Sequence, residues 1–111
     1  EVSLLAGGTT SGSTNGIGTN VLFNTPRDID ISYDGVYALV ADSYNHQVRK
    51  IIITTGEVNV LAGSSTSGKS NGIGTNAFFN SPSFTSYSKN GSFALFTDSS
   101  YNIIRKVIIS T

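Results

Sequence analysis

The hexapeptide NGIGTN occupies residues 15–20 and recurs unchanged at residues 71–76, a shift of 56 residues. Applied to the whole chain, this shift gives 28 identities over 55 aligned positions without a gap. Agreement of this extent indicates a duplicated structural unit. We place the first repeat at residues 1–56 and the second at residues 57–111.

Each repeat has the residue pattern of β-strands. Apolar and polar residues alternate over residues 27–33, and Asp34-Gly35 is a typical hairpin turn. Val36 to Ala41 is apolar on both faces, as expected for an inner strand covered on both sides. The strands predicted for the first copy are 27–33, 36–41, 48–55 and 57–61, and the second copy repeats the first three within residues 83–110. This pattern predicts an all-β fold of two four-stranded antiparallel units.

Composition excludes several classes of protein. The chain has 111 residues, with seven basic and seven acidic residues and no cysteine. A balanced charge argues against a nucleic-acid partner, which needs a basic face, and the absence of cysteine excludes disulfides and thiolate zinc sites. Since the longest apolar runs are only a few residues, no membrane insertion and no targeting segment are expected. We interpret the chain as part of something longer.

A long loop rich in Gly, Ser, Thr and Asn, residues 63–81, joins the two units. Loops of this length inside a compact domain need a structural or functional reason. Three apolar residues, Ile73, Phe78 and Phe79, are expected to hold it on the surface, and Pro82 presets the strand that follows. The loop either recognises a partner or simply spans from an outer to an inner strand.

The segment VADSYNHQVRK, residues 40–50, resembles the NHL repeat, and the resemblance extends over both copies. It implies a β-propeller built of four-stranded blades, with residues 27–34 innermost and residues 57–62 outermost. The glycine that usually follows the proline by two residues is replaced by Asp28 and Phe84. These larger residues favour an open array over a tight ring.

The order of the strands predicts an assembly. Residues 1–7 read as an outermost strand without inner strands before it, and residues 83–110 as inner strands without an outermost strand after them. Because a blade must be covered on both faces, two blades alone cannot bury their apolar residues. The expected partners are further copies of the chain or adjacent repeats of the same chain.

Two charged pairs recur at the same offset: Asp42 with Arg49, and Asp98 with Arg105. We interpret both as structural ion pairs, in which the aspartate also caps a backbone corner. The alternative is a cation or substrate site. Recurrence in every repeat favours the structural interpretation.

Other chemically active residues are isolated. His46 is the sole histidine, and the second copy has Asn102 there, so we expect a corner hydrogen bond and no catalytic role. Asp28, Asp30 and Asp34 would suit Ca²⁺, but a solvated polar face is favoured over a metal site because the second copy lacks these carboxylates. The sequence therefore predicts no catalytic residue, no metal and no cofactor.

Asn90-Gly91-Ser92 is the one N-glycosylation motif, and it lies on a predicted turn. Together these features predict a structural or interaction repeat segment of an extracellular or cell-surface protein that assembles head to tail into a larger propeller or filament. The alternatives are a propeller that binds a ligand or glycan, and blades of a propeller lyase or hydrolase. The enzyme is ranked last because no acid, base and metal set converges.

Overall fold

The computed structural model describes residues 1–109, and within them the chain is all-β with only short 3₁₀ turns. The strands form two antiparallel sheets, one of five strands and one of three. The prediction of an all-β fold in two antiparallel units is confirmed, with five and three strands where four and four were predicted. The last two residues of the second predicted repeat, 110 and 111, lie outside the described part of the chain.

The first sheet, blade 1, has a four-stranded meander and one short added strand. The added strand β1 pairs with β5, giving the order β1-β5-β4-β3-β2. The bounds are β1 Gly16–Ile17, β2 Pro26–Ile31, β3 Tyr37–Asp42, β4 Gln47–Ile52 and β5 Glu57–Ala62. The four main strands lie within about three residues of the bounds predicted from alternation.

The second sheet, blade 2, contains the three inner strands. They are β6 Pro82–Tyr87, β7 Phe93–Asp98 and β8 Ile103–Ile108, in the order β6-β7-β8. The register of β6 shifts between Pro82 and Thr85, and that of β2 shifts at the equivalent Pro26 and Asp28. The repeat therefore extends to the irregularities of the sheets.

The main core lies between the two blades. Leu39, Ala41 and Val48 project from one face of blade 1 and pack against Ala94 and Phe96 of blade 2. Phe79, from the loop before β6, completes this cluster, with its ring edge-on to that of Phe96 at a centroid distance of 6.3 Å. Burying several such side chains, at roughly 1.5–3 kcal/mol each, holds the blades face to face.

The opposite face of blade 1 is covered only in part. The loop before β2 places Val21 and Phe23 against Ala38 and Val40 of the sheet. This arrangement matches that of Phe79 on blade 2, but no further blade lies beyond it in the described chain. Each blade thus carries its own preceding loop as a cover.

One predicted loop anchor is wrong. Phe79 and Pro82 are buried, but Ile73 is 89% exposed. Its equivalent in the first copy, Ile17, pairs with Glu57 of β5. Blade 2 has no fourth strand among the described residues, so Ile73 has no strand to pair with.

Residues 1–7, for which the sequence predicts an outermost strand, form no strand in the structure. An edge strand needs a neighbouring strand to supply its hydrogen bonds. In blade 1 that neighbour is β4, which pairs with β5. The described chain places no such strand beside residues 1–7.

Gly63 shows why the strand-to-loop corner requires glycine. Its φ of 98° lies in a region that side chains disfavour. A Cβ built at this position would lie 2.5 Å from the backbone oxygen of His46. The close approach lets β5 leave the sheet beside the β3–β4 corner.

Candidate functional site

A buried ion pair ties the corner of blade 1 together. Asp42 ends β3 and Arg49 lies in β4, with the Arg49 Nη1 donating to Asp42 Oδ2 at 2.8 Å. Both side chains are fully buried. Buried charges persist only when paired and hydrogen-bonded, so the remaining contacts of this pair decide its role.

Those contacts hold the loop that precedes β2. Arg49 also donates to the carbonyl oxygens of Leu22 and Thr14, and to Asn15 Oδ1 at 2.9 Å. The other oxygen of Asp42 accepts the Asn24 N–H at 2.8 Å. The pair therefore links the loop before β2 to strands β3 and β4.

Blade 2 repeats this network with one change. Asp98 and Arg105 lie 3.0 Å apart, and Arg105 donates to the equivalent loop groups, the carbonyl oxygens of Phe78 and Ser70 and the Oδ1 of Asn71. In blade 1 the Asn45 Nδ2 also donates to Asp42 Oδ2 at 2.7 Å. Tyr101 occupies the equivalent position in blade 2. The pair in blade 2 therefore has one hydrogen bond fewer.

The asparagine that begins each NGIG motif was missed as a partner of the ion pair. It precedes its arginine by 34 residues in both copies. This constant offset was the available signal. It assigns the motif to loop anchoring, and not to a phosphate-binding loop, which needs a lysine and a helix.

His46 lies at the corner where blade 1 meets the beginning of blade 2. Its backbone is left-handed, with φ of 56°, and Asn102 has φ of 58° at the equivalent corner. His and Asn tolerate this conformation better than most residues. The Nδ1 of His46 accepts the Ser81 N–H at 3.1 Å. The histidine therefore joins the two blades through one partly buried hydrogen bond.

We expect His46→Ala to lower the free energy of unfolding by about 1–3 kcal/mol, because the Ser81 N–H loses its acceptor. His46→Asn is the matched control, since asparagine occupies the equivalent corner and carries an acceptor oxygen. It should lose less than the alanine variant. Urea denaturation measures both, and equal stability of all three proteins would exclude this role for the hydrogen bond.

The three aspartates considered for Ca²⁺ are not gathered around one point. Asp28 Oδ2 accepts the Thr85 N–H and Asp30 Oδ2 accepts the Tyr87 N–H, each at 2.8 Å, and both bonds cross between the blades. Asp34 accepts the Ser32 hydroxyl and the Val36 N–H within its own turn. Residues 1–109 contain no group of three or more His, Cys, Asp or Glu that could hold a metal ion.

Two residues near the contact between the blades have displaced pKa values. Hydrogen bonds from the Ser32 hydroxyl and the Val36 N–H lower the pKa of Asp34, so the stability they add is lost as the pH falls through the lowered value. Burial, followed by the charges of Asp34 and Asp30, raises the pKa of Tyr87 from 10.0 to about 12. Since the unfolded chain ionises first, the fold loses stability as the pH rises from 10.0 toward that value.

Asn90 lies in the exposed turn between β6 and β7. Its Oδ1 accepts the Ser92 hydroxyl at 2.7 Å and the Ser92 N–H at 3.0 Å. The candidate glycosylation residue is therefore on the surface. No helix among residues 1–109 is long and apolar enough to cross a membrane.

The comparisons with known proteins concern the fold. No family profile and no curated protein matches the chain. A structural genomics protein of unknown function from Bacteroides thetaiotaomicron VPI-5482 superposes with a TM-score of 0.84 at 23% identity, covering 95% of this chain and 27% of its own. An auxiliary nutrient binding protein from Bacteroides ovatus ATCC 8483 superposes with a TM-score of 0.80 at 23% identity, covering 93% of this chain and 27% of its own.

A candidate phosphatase from Bacteroides thetaiotaomicron VPI-5482 gives a TM-score of 0.82 at 19% identity, covering 97% of this chain and 26% of its own. This chain therefore spans about a quarter of the length of the solved structures that it matches. The matched structures are propeller-like. The chain shares their fold.

Proposed function

We propose that this chain is a structural and interaction segment of an extracellular protein, built of NHL-like repeats that pack head to tail into a larger propeller or filament. The observation that carries the proposal is a difference between equivalent residues. Leu39 and Val48 of blade 1 are fully buried, whereas Leu95 and Ile104 of blade 2 are 41% and 68% exposed. The difference arises because blade 2 covers blade 1 and nothing in the described chain covers blade 2.

The two ends of the molecule support the same conclusion. We call the face of blade 2 that carries Leu95 and Ile104 the open face of blade 2, and the face of blade 1 that carries Ile29 and Val40 the open face of blade 1. The latter contains an apolar recess of about 400 Å³. Further repeats would bury both faces as the blades bury each other here. Contact between unlike faces propagates into a ring or a filament.

Strand pairing supports the proposal independently. In blade 1, β4 is flanked by β3 and β5, whereas among residues 1–109 β8 has only β7 beside it. Val58 pairs with Ile51, so the repeat places Val2 of a neighbouring unit opposite Val107. A free sheet edge of this kind favours the addition of a strand.

Association should weaken by more than tenfold in the variant Ile104→Lys, because the charge would be buried in the contact. Tyr33→Lys is the matched control: Tyr33 is exposed in a hairpin turn, and the equivalent residue of blade 2 is Lys89. Sedimentation equilibrium over a range of concentrations measures both. A wild-type chain that stays monomeric, or an Ile104→Lys variant that associates as well as the control, would contradict the proposal.

A second candidate function is ligand binding. It is favoured by the apolar recess, lined by Phe23, Ile29 and Val40 among others, and by matched structures named as nutrient binding proteins. A ligand in this recess would compete with a neighbouring blade, so ligand binding and association would be mutually exclusive. An enzymatic role ranks lower, because Asp28 and Asp30 are engaged by backbone N–H groups.

A further inference from the structure

The contact between the two blades, which we call the internal joint, is polar along the inner strands. The Asp28 and Asp30 side chains of β2 accept the Thr85 and Tyr87 N–H groups of β6. These N–H groups point away from β7, so no strand of their own sheet satisfies them. Carboxylates of one blade therefore cap the edge of the next.

The equivalent positions on the open faces are different. Asp28 and Asp30 correspond to Phe84 and Ser86, and Phe84 is 66% exposed. Thr85 and Tyr87 correspond to Ile29 and Ile31, which are 54% and 56% exposed on the open face of blade 1. A joint that follows blade 2 thus has Phe84 and Ser86 where the internal joint has carboxylates.

We infer that the open face of blade 2 binds the open face of blade 1 of a second copy of this chain, with Phe84 packed against Ile29. This inference rests on the proposed function and names the partner. The two surfaces match in character, since a large exposed aromatic ring meets an exposed aliphatic side chain. Leu95 and Ile104 continue the same apolar surface outward along the blade.

A further blade of the second type would fit less well after blade 2. Its Thr85 and Tyr87 N–H groups would face Phe84 and Ser86, so both would lose the carboxylate acceptors that they have in the internal joint, which costs free energy. In blade 1 only the Ile29 N–H is affected in this way, because Asp30 of the same strand accepts the Ile31 N–H.

Blade 1 is also suited to follow a blade that carries no carboxylates. The Ile31 N–H already has an acceptor in Asp30 Oδ1 of its own strand, at 3.0 Å. Ser86 therefore need not supply one. Asp30 serves both joints at once, one oxygen capping Ile31 and the other capping Tyr87.

The first test is a double-mutant cycle on association. Phe84→Ser and Ile29→Ser should each weaken association about tenfold or more. The double variant should be little weaker than either single variant, because both remove the same contact. Both residues are exposed in the single chain, so thermal unfolding of the monomer should change little. Tyr33→Ser is the control and should associate like the wild type.

The second test is a disulfide cross-link, which is clean because the chain has no cysteine. An oxidised mixture of Ile29→Cys and Phe84→Cys should give a covalent heterodimer, and either variant alone should not. If the wild type associates but no heterodimer forms and the serine variants bind normally, the inference fails while the proposed function stands. Cross-linking of Ile29→Cys to itself would also overturn it. If the wild-type chain stays monomeric, both the inference and the proposed function are wrong.

Discussion

Replacing Asp42 by alanine should lower the free energy of unfolding by about 3–5 kcal/mol, the usual cost of removing one partner of a buried ion pair. The substitution leaves the Arg49 guanidinium fully buried without its counter-charge. It also removes the acceptor for the Asn24 N–H and for the Asn45 side chain. Chemical denaturation followed by far-ultraviolet circular dichroism measures the loss.

Asp98→Ala is the matched control for this prediction. Asp98 lacks the asparagine partner that Asp42 has, and the side chain of Arg105 is 9% exposed, so water can partly solvate the orphaned charge. A smaller loss is expected for Asp98→Ala. If Asp42→Ala instead left stability unchanged and abolished binding of a ligand, the pair would be a functional site and the structural interpretation would be wrong.

The repeat in the sequence was enough to predict the blades, because duplicated spacing constrains strands, turns and corners together. It also predicted that Asp42 pairs with Arg49 and Asp98 with Arg105 across a corner between strands. The role of Asp28 and Asp30 as hydrogen-bond acceptors between the blades could not be predicted from the repeat. Their partners are backbone N–H groups of another blade, and such contacts leave no pattern of side chains in the sequence.

Ile73 was expected to anchor the loop because it is apolar, but its counterpart Ile17 is still 55% exposed although it pairs with β5, so this position is not a buried anchor. Residues 1–7 were expected to form a strand because they repeat residues 57–63. That strand depends on hydrogen bonds from a strand in another unit, so its pairing stays a prediction. A pattern in one repeat reports what the residue does in the array, whereas the structure of residues 1–109 reports only the contacts that this chain supplies itself.

Phe79→Ala should destabilise the chain by about 3–5 kcal/mol, since a buried phenyl group is lost and the cavity can only partly close. Phe79 is 1% exposed between the two blades and contacts the ring of Phe96 edge-on. Its ring also lies under the Arg105 guanidinium at 4.7 Å. The substitution therefore weakens the inter-blade core and the support of the second ion pair together.

Phe23 provides the control within the same molecule, because it is the equivalent residue on blade 1 and packs under Arg49 at 5.0 Å. It is only half-buried, since no blade within residues 1–109 lies against it. Phe23→Ala should therefore cost the monomer less than Phe79→Ala, and should weaken association in addition. Denaturation at low concentration isolates the first effect, and sedimentation the second. Equal losses of monomer stability would mean that burial by a neighbouring blade does not distinguish these residues, which would remove the physical basis for head-to-tail packing.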